Sequence, residues 1–239
     1  MNFRYLEWDS IFFAKQVAAI ELADDDSLAN IEETLTHRHF DCCYVFCGYP
    51  SPPERHQLFE LMGGQCCDHK ITYCKKLVSD SPKNVSRENI EVVSRSEPEI
   101  LDLAVQSGWH SRFRQDPRLR YKQPELYRLW VDKCLNSEHS AVLVLRQDGL
   151  ATAMVCVSAT GDSGKIQLIA VAEDCRGRGL GKRLMENAEV FFVGITALQP
   201  KLLRNLIMLR HANCTNMQDT IKRKSKKSGT YGNHDSNPL

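Results

Sequence analysis

VAEDCRGRGLGKRLMENAE, residues 171–189, sets three glycines and four basic residues between an apolar run and a helical pattern. IQLIAV, 166–171, has the apolar, β-branched character of a buried strand, and a helix is expected from about Leu180 to Phe191. At a strand-to-helix junction the first helical turn carries unpaired N–H groups and the positive end of the macrodipole, so it attracts phosphate. Gly177, Gly179 and Gly181 have no side chain to block a close approach, and Arg176, Arg178, Lys182 and Arg183 add positive charge. The stretch is built to meet an anion.

Two common phosphate motifs do not fit. A P-loop ending at Gly181-Lys182 needs Gly at 176 and Ser or Thr at 183, and Arg stands at both places. The dinucleotide fingerprint G-x-G-x-x-G fails because the glycines run 177, 179, 181. What matches is Arg-x-x-Gly-x-Gly at 176, 179 and 181, directly after a strand. With the preceding V-A-E-D-C, this pattern resembles the acyl-CoA-binding motif of the GNAT superfamily of N-acyltransferases, apart from Glu173, where many members have Pro. The resemblance covers roughly residues 90–199 in element order. It implies an α/β chain of GNAT fold, a mixed, mostly antiparallel sheet flanked by helices, preceded here by a small α/β unit. It implies acetyl-CoA as cosubstrate, its pyrophosphate held by backbone N–H groups of Arg176, Gly177, Arg178, Gly179, Leu180, Gly181 and Lys182. The strand around Ile169 and Val171 would then hydrogen-bond the pantetheine arm, a form of strand addition. Direct transfer follows: an amine attacks the thioester, a strand N–H stabilises the oxyanion, and a Tyr on the next helix commonly protonates the thiolate.

Three further stretches, LEWDSIFFA (6–14), SRFRQDPR (111–118) and LYRLWVDKCL (126–135), resemble the TDP-fucosamine N-acetyltransferase branch. This implies a nucleotide-linked amino sugar as the amine, with Trp109, Arg112 and Arg114 as candidate substrate or cofactor contacts. The alternative, that Trp109 and Phe113 are core and the arginines solvated, has equal standing. Glu125, Asp116 and His110 are each nominated as general base, and no spacing singles one out.

The remainder of the chain orders around this domain. Residues 1–78 read as a small α/β unit: a strand over 12–22, a helix over 27–38 capped by Ser27, a strand over 42–48, a helix over 52–64 and a strand over 69–78. SDSPKNVSREN, 79–89, reads as a linker. Residues 90–199 then give strand, helix, helix, three strands, helix and a short final strand, GITALQ. A hydrophobic fraction of 42% with 26% charged residues is that of a globular protein. No apolar run is long enough to span a bilayer and MNFRYLEWDS lacks an apolar signal region, so a cytoplasmic, membrane-free protein with reduced thiols is expected. The ten cysteines lack clean C-x-x-C spacing, and no metal site is expected. A homodimer is compatible with the resemblance.

From Pro200 onward eight Lys or Arg face two Asp, a balance of +6 against −5 for the body. The tail, 200–239, loses apolar periodicity beyond 215 and reads as disordered. It lacks the family's N-x-x-A-x-x-L-Y-E-x-x-G-Y stretch, so the chain is expected to lack one strand and helix of the domain and to have doubtful activity. In a shifted frame, however, the codons permitted for Ile207–Asp219 can spell that stretch, and its Leu is forced by Asn213 and Cys214. A base gained or lost near codons 199–201 is the resulting hypothesis. The rival is a non-catalytic protein whose KRKSKK, 222–227, engages an acidic partner, although no nucleic acid is expected. The base sequence across codons 190–239, set against the intact mass of the cellular protein, decides the matter. Bases that cannot spell the motif in the second frame end the frameshift reading.

Overall fold

The computed structural model describes residues 1–48, 50–76, 85–86, 88–160, 163–198 and 205–212. The chain divides into a smaller unit over Met1–Cys66 and a larger one that begins at Cys67.

In the smaller unit, β1 (Asn2–Tyr5) pairs antiparallel with β2 (Val17–Glu21), and β2 pairs parallel with β3 (Cys42–Phe46). The helices are α1 (Glu7–Phe13), α2 (Leu28–His37) and α3 (Pro53–Leu61). Val17, Ala18, Ala19 and Ile20 are completely buried, so β2 is an interior strand. The strand expected over 12–22 starts only at Val17. Glu7 and Asp9 suit a helix N-terminus, Trp8 stacks on Phe12 with ring centroids 5.0 Å apart, and Ala14 closes α1 in the left-handed conformation. Ser27 caps α2 as expected, accepting from the Asn30 amide. On α3, Arg55 is buried and its Nη2 donates to the carbonyls of Ala23, Asp24 and Asp26 at 2.9–3.0 Å, tying the turn before α2.

The larger unit holds a six-stranded sheet in the order β4-β9-β8-β7-β6-β5. Its elements are β4 (His69–Lys76), β5 (Ile90–Val93), α4 (Pro98–Ser107), α5 (Arg112–Gln115), α6 (Gln123–Leu135), β6 (Ser140–Gln147), β7 (Leu150–Thr160), β8 (Ser163–Val171), α7 (Leu180–Leu198) and β9 (Asn205–Ala212). All neighbours are antiparallel except β8 and β9. The β6–β7 hairpin turns at Asp148-Gly149, with both residues at positive φ. One face of the sheet, Leu143, Leu145, Ala153, Val155, Val157 and Ile166, packs under Leu184, Ala188 and Phe192 of α7. Alternation along the strands turns Met154, Cys156 and Ser158 to the opposite face, on which α4 and α6 lie.

Three expectations change. GITALQ is not a strand, because α7 continues through Leu198. A strand does follow that helix, because NLIMLRHA forms β9 and pairs along all of β4. That pairing also draws β4 into the larger sheet, so the chain divides after Cys66 rather than at 78. The tail beyond Ala212, with KRKSKK, lies outside the described residues, as does most of the expected linker.

Gly164 shows how closely α7 is seated: a Cβ added there would lie 2.7 Å from the Phe192 ring. Gly164→Ala is therefore expected to destabilise by about 1–3 kcal/mol through overpacking, outweighing the ~0.4–1 kcal/mol gained from a stiffer unfolded chain. A denaturant melt checks this, and an unchanged midpoint would contradict it.

Candidate active site

Strand β8 is the axis of the site. Along one edge it pairs with β7 from Ser163↔Thr160 to Val171↔Ala153. Along the other it pairs with β9 only from Ser163↔Asn205 to Ile166↔Met208. Past that point β9 keeps its pairing with β4, from Leu209↔Thr72 to Ala212↔His69, while β8 continues without it. Two parallel strands thus part company, and among the described residues the edge of β8 over 167–171 has no strand partner. Ile169 and Val171 lie in this edge segment and pack partly against the core under α7.

Sequence reading missed a second feature here. In the β7–β8 ladder Val157 faces Ile166 and Cys156 faces Leu168, so Gln167 is the extra residue of a β-bulge at the first position past the fork. The Gln167 amide is held on both sides: Nε2 donates to Ser158 Oγ at 2.8 Å, and Oε1 accepts from Cys134 Sγ of α6 at 2.8 Å. Nothing in local sequence marks a bulge, since IQLIAV reads as an ordinary strand.

At the far end of the edge the glycine-rich stretch turns into α7. The Ala172 amide donates to Thr152 O, and one 3-10 turn, Glu173–Cys175, drops the buried Cys175 into the core. Gly177 and Gly179 have φ of 79° and 77°, a left-handed conformation that glycine adopts without steric cost. The first helical bond is Arg183 N to Gly179 O at 3.1 Å, which leaves the Leu180, Gly181 and Lys182 amides as the open first turn. A Cβ on Gly181 would meet only Val171 Cγ2, at an ordinary 3.7 Å, so internal packing does not demand glycine there.

The basic side chains divide their labour. Arg176 Nε donates to Val171 O and Arg178 Nη2 to Asp174 O, so both guanidinium groups staple the loop. Lys182 is largely exposed, 3.8 Å from Glu186. Arg183 turns from the loop and donates to Glu88 O at 2.6 Å, while Asn187 Nδ2 holds Ser86 O, so these two secure the segment leading to β5.

Of the other candidates, Trp109 and Arg114 come together: Trp109 is half exposed and Arg114 Cζ sits 4.4 Å from its ring centroid. Arg112 instead lies over buried Phe113, at 4.2 Å, and Phe113 packs edge-on against Trp130. Gly108, beside them, could not carry a side chain, since an added Cβ would run into the Tyr127 ring. Burial pushes the Tyr127 phenol up to about 12, which keeps it protonated. Among the base nominees, Glu125 pairs with Lys122 at 3.1 Å, and Asp116 takes two guanidinium bonds and a backbone bond from Arg118. Burial opposes ionisation of Asp116, yet the Arg118 bonds prevail and hold its carboxyl below the ordinary 3.8. Among the described residues there is no cluster of three metal-ligating side chains, and no helix is long and apolar enough to cross a membrane.

Residues 104–198 match the acetyltransferase (GNAT) family. Among curated proteins none matches this chain. Solved structures that resemble it include a functionally unknown conserved protein of Staphylococcus epidermidis, with 11% identity, 88% of this chain and 80% of that one covered, and a TM-score of 0.52. A GCN5-related N-acetyltransferase of Sphaerobacter thermophilus aligns at 15% identity over 70% of this chain and 50% of its own, with a TM-score of 0.43. A Desulfovibrio desulfuricans protein assigned to the GNAT family aligns at 19% identity over 45% of this chain, with a TM-score of 0.35. The present chain thus spans half the length of the Sphaerobacter protein and 66% of the Desulfovibrio one.

Because Asp116 is ionised below its ordinary range in the folded state, its stabilising effect is present above the unfolded carboxylate pKa and is lost as pH falls through the lower folded value. Asp116→Asn should therefore melt below the parent at pH 7, and the gap should narrow as the pH falls from the ordinary carboxylate range through the lower folded value. A gap independent of pH would show that the charge of Asp116 is immaterial.

Proposed function

We propose that this chain, whose larger unit has the GNAT acetyltransferase fold and whose residues 104–198 match that family, transfers acetyl from acetyl-CoA to an amine. The family is one of acyltransferase enzymes. The observation that carries the proposal for this chain is the fork of β8 and β9, which opens along the same strand that ends in the positive-φ glycine turn. An extended amide-bearing arm can lie along the free edge at Ile169 and Val171 as an added strand. Its pyrophosphate then meets the turn and helix start formed by Arg176, Gly177, Arg178, Gly179, Leu180, Gly181 and Lys182. The bulge at Gln167 interrupts the ladder beside the place where the thioester would end, and a strand N–H released there suits a developing oxyanion.

The amine is a nucleotide-linked amino sugar in this reading, as the resemblance of 6–14, 111–118 and 126–135 to TDP-fucosamine N-acetyltransferases suggests. The Trp109–Arg114 pair, with Trp109 half exposed, supports it, since an aromatic face and a guanidinium suit a base and a phosphate. Arg112 is the weaker candidate because it stacks on the core. The helix expected to carry the thiolate-protonating Tyr falls outside the described residues. The shifted-frame reading of Ile207–Asp219 competes with a β9 that the written residues already form, and the gene's bases choose between them. A cytoplasmic setting and a homodimer complete the proposal.

Gly181→Glu tests the cradle. A Cβ at 181 makes only an ordinary contact, and an acidic residue in a first turn suits the helix dipole, so the unliganded melting point should stay within about 2 °C. Its carboxylate meets the pyrophosphate, and acetyl-CoA affinity should fall at least about tenfold, read by calorimetry and by loss of ligand-induced thermal stabilisation. A parent chain that acetyl-CoA does not stabilise would refute the assignment.

A further inference from the structure

We infer that the Gln167 carboxamide is a specificity element that selects an acceptor bearing a hydroxyl on the carbon next to its amine. The inference rests on the acetyl-CoA reading above but concerns the other substrate.

Its position comes from strand alternation and from the bulge. Val155, Val157, Ile166, Ile169 and Val171 belong to the core under α7, while Gln167 bonds to Ser158 of β7 and to Cys134 of α6. Opposite Ile166 on the strand, Gln167 faces the α4 and α6 side one residue past the last β8–β9 pair, and the bulge leaves it without a cross-strand partner in β7. Cys134 and Ser158 are buried, whereas Gln167 is exposed. An exposed glutamine ordinarily samples several rotamers, at a cost of up to ~2 kcal/mol when it is immobilised on binding. Here two buried partners have already fixed it.

Those two bonds also fix which end of the amide is which. A glutamine amide offers two donors and two acceptor lone pairs. With Nε2 committed to Ser158 and Oε1 to Cys134, one N–H and one lone pair of the same amide remain. That pattern complements a neighbouring hydroxyl and amine: Oε1 accepts from the amine N–H, and the free Nε2–H donates to the hydroxyl oxygen. The amine keeps its own lone pair for attack on the thioester. A lone primary amine satisfies only half of the pair, and the exposed N–H returns to water.

The test uses the full chain. Acetyl-CoA affinity is measured first, and calorimetry then follows binding of a nucleoside-diphosphate amino sugar with a hydroxyl beside its amine, and of its deoxy counterpart, to chain saturated with CoA. CoA-saturated parent should prefer the hydroxylated sugar by roughly five- to tenfold, the worth of one net hydrogen bond. Gln167→Ala should erase the preference, read against the acetyl-CoA affinity titrated for each variant, since its side chain bonds to Ser158 and Cys134 and the strand backbone is retained. Cys134→Ser, which keeps a donor to Oε1, should retain the preference, and Cys134→Ala should weaken it. A parent indifferent to the hydroxyl, or a Gln167→Ala chain that still discriminates, overturns the assignment. A parent that fails to bind acetyl-CoA overturns the reading beneath it, a separate result seen in the first titration.

Discussion

The four-residue limit on the parallel pairing of β8 and β9 is the constraint on which the rest of the larger unit depends. A sheet closed along both edges of β8 would leave no backbone free, and its interior would be an ordinary core. By parting after Ile166 and Met208, the two strands expose the hydrogen-bonding edge of one of them without leaving the sheet unsupported, because β9 retains β4 as a partner over its full length. The cost of that edge is tolerable only because β8 keeps β7 on its other side and α7 above it. Phe192 seated directly on Gly164 pins the paired end of β8, so the divergence begins at a fixed place.

The same strand then has to deliver its chain into α7 with the helix start facing outward. Left-handed glycines at 177 and 179 allow the turn, and buried Cys175 and Leu180 clamp it from inside. The arginines contribute in an unexpected way. Arg176 and Arg178 bind carbonyls of their own loop, and Arg183 binds the segment before β5, so much of the positive charge is spent on holding the backbone amides in place. In the proposed role an anion would be met first by oriented N–H groups and the helix dipole, with Lys182 the most exposed of the four cations.

The sequence was most legible where backbone conformation depends on residue type. Glycine spacing, the Asp148-Gly149 hairpin and the Ser27 cap announce themselves because few residues tolerate those geometries. It was least legible where the outcome is set by partners far along the chain. GITALQ has strand-like residues, yet it continues a helix already anchored by Leu184, Ala188 and Phe192. NLIMLRHA looked like a remnant of a misread tail, yet β4, more than a hundred residues earlier, supplies the ladder that makes it a strand. Phe12 and Phe13, apolar enough for a strand, belong to α1, where Trp8 and Phe12 stack a turn apart. The Trp109–Arg114 pairing follows from local spacing and could be anticipated, whereas the separate fate of Arg112 depended on Phe113 and Trp130 meeting across two helices.

The bulge at Gln167 belongs to the second kind, and it ties fold to chemistry. A strand without it would alternate strictly, and the residue after Ile166 would have a cross-strand partner. Inserting one residue shifts Leu168 and all that follows by one step relative to β7, so Ile169 and Val171 return to the face under α7 while the bulged side chain reaches toward α6. Two needs are met by one irregularity: the edge that could hold the acyl carrier keeps its apolar backing, and a polar group is presented where an acceptor would arrive. Cys134 and Ser158 matter for the same reason. Each is buried, and a buried thiol or hydroxyl gains little from burial alone. Joined through one carboxamide, they orient it, and a fixed amide can discriminate among acceptors in a way that a freely rotating one cannot.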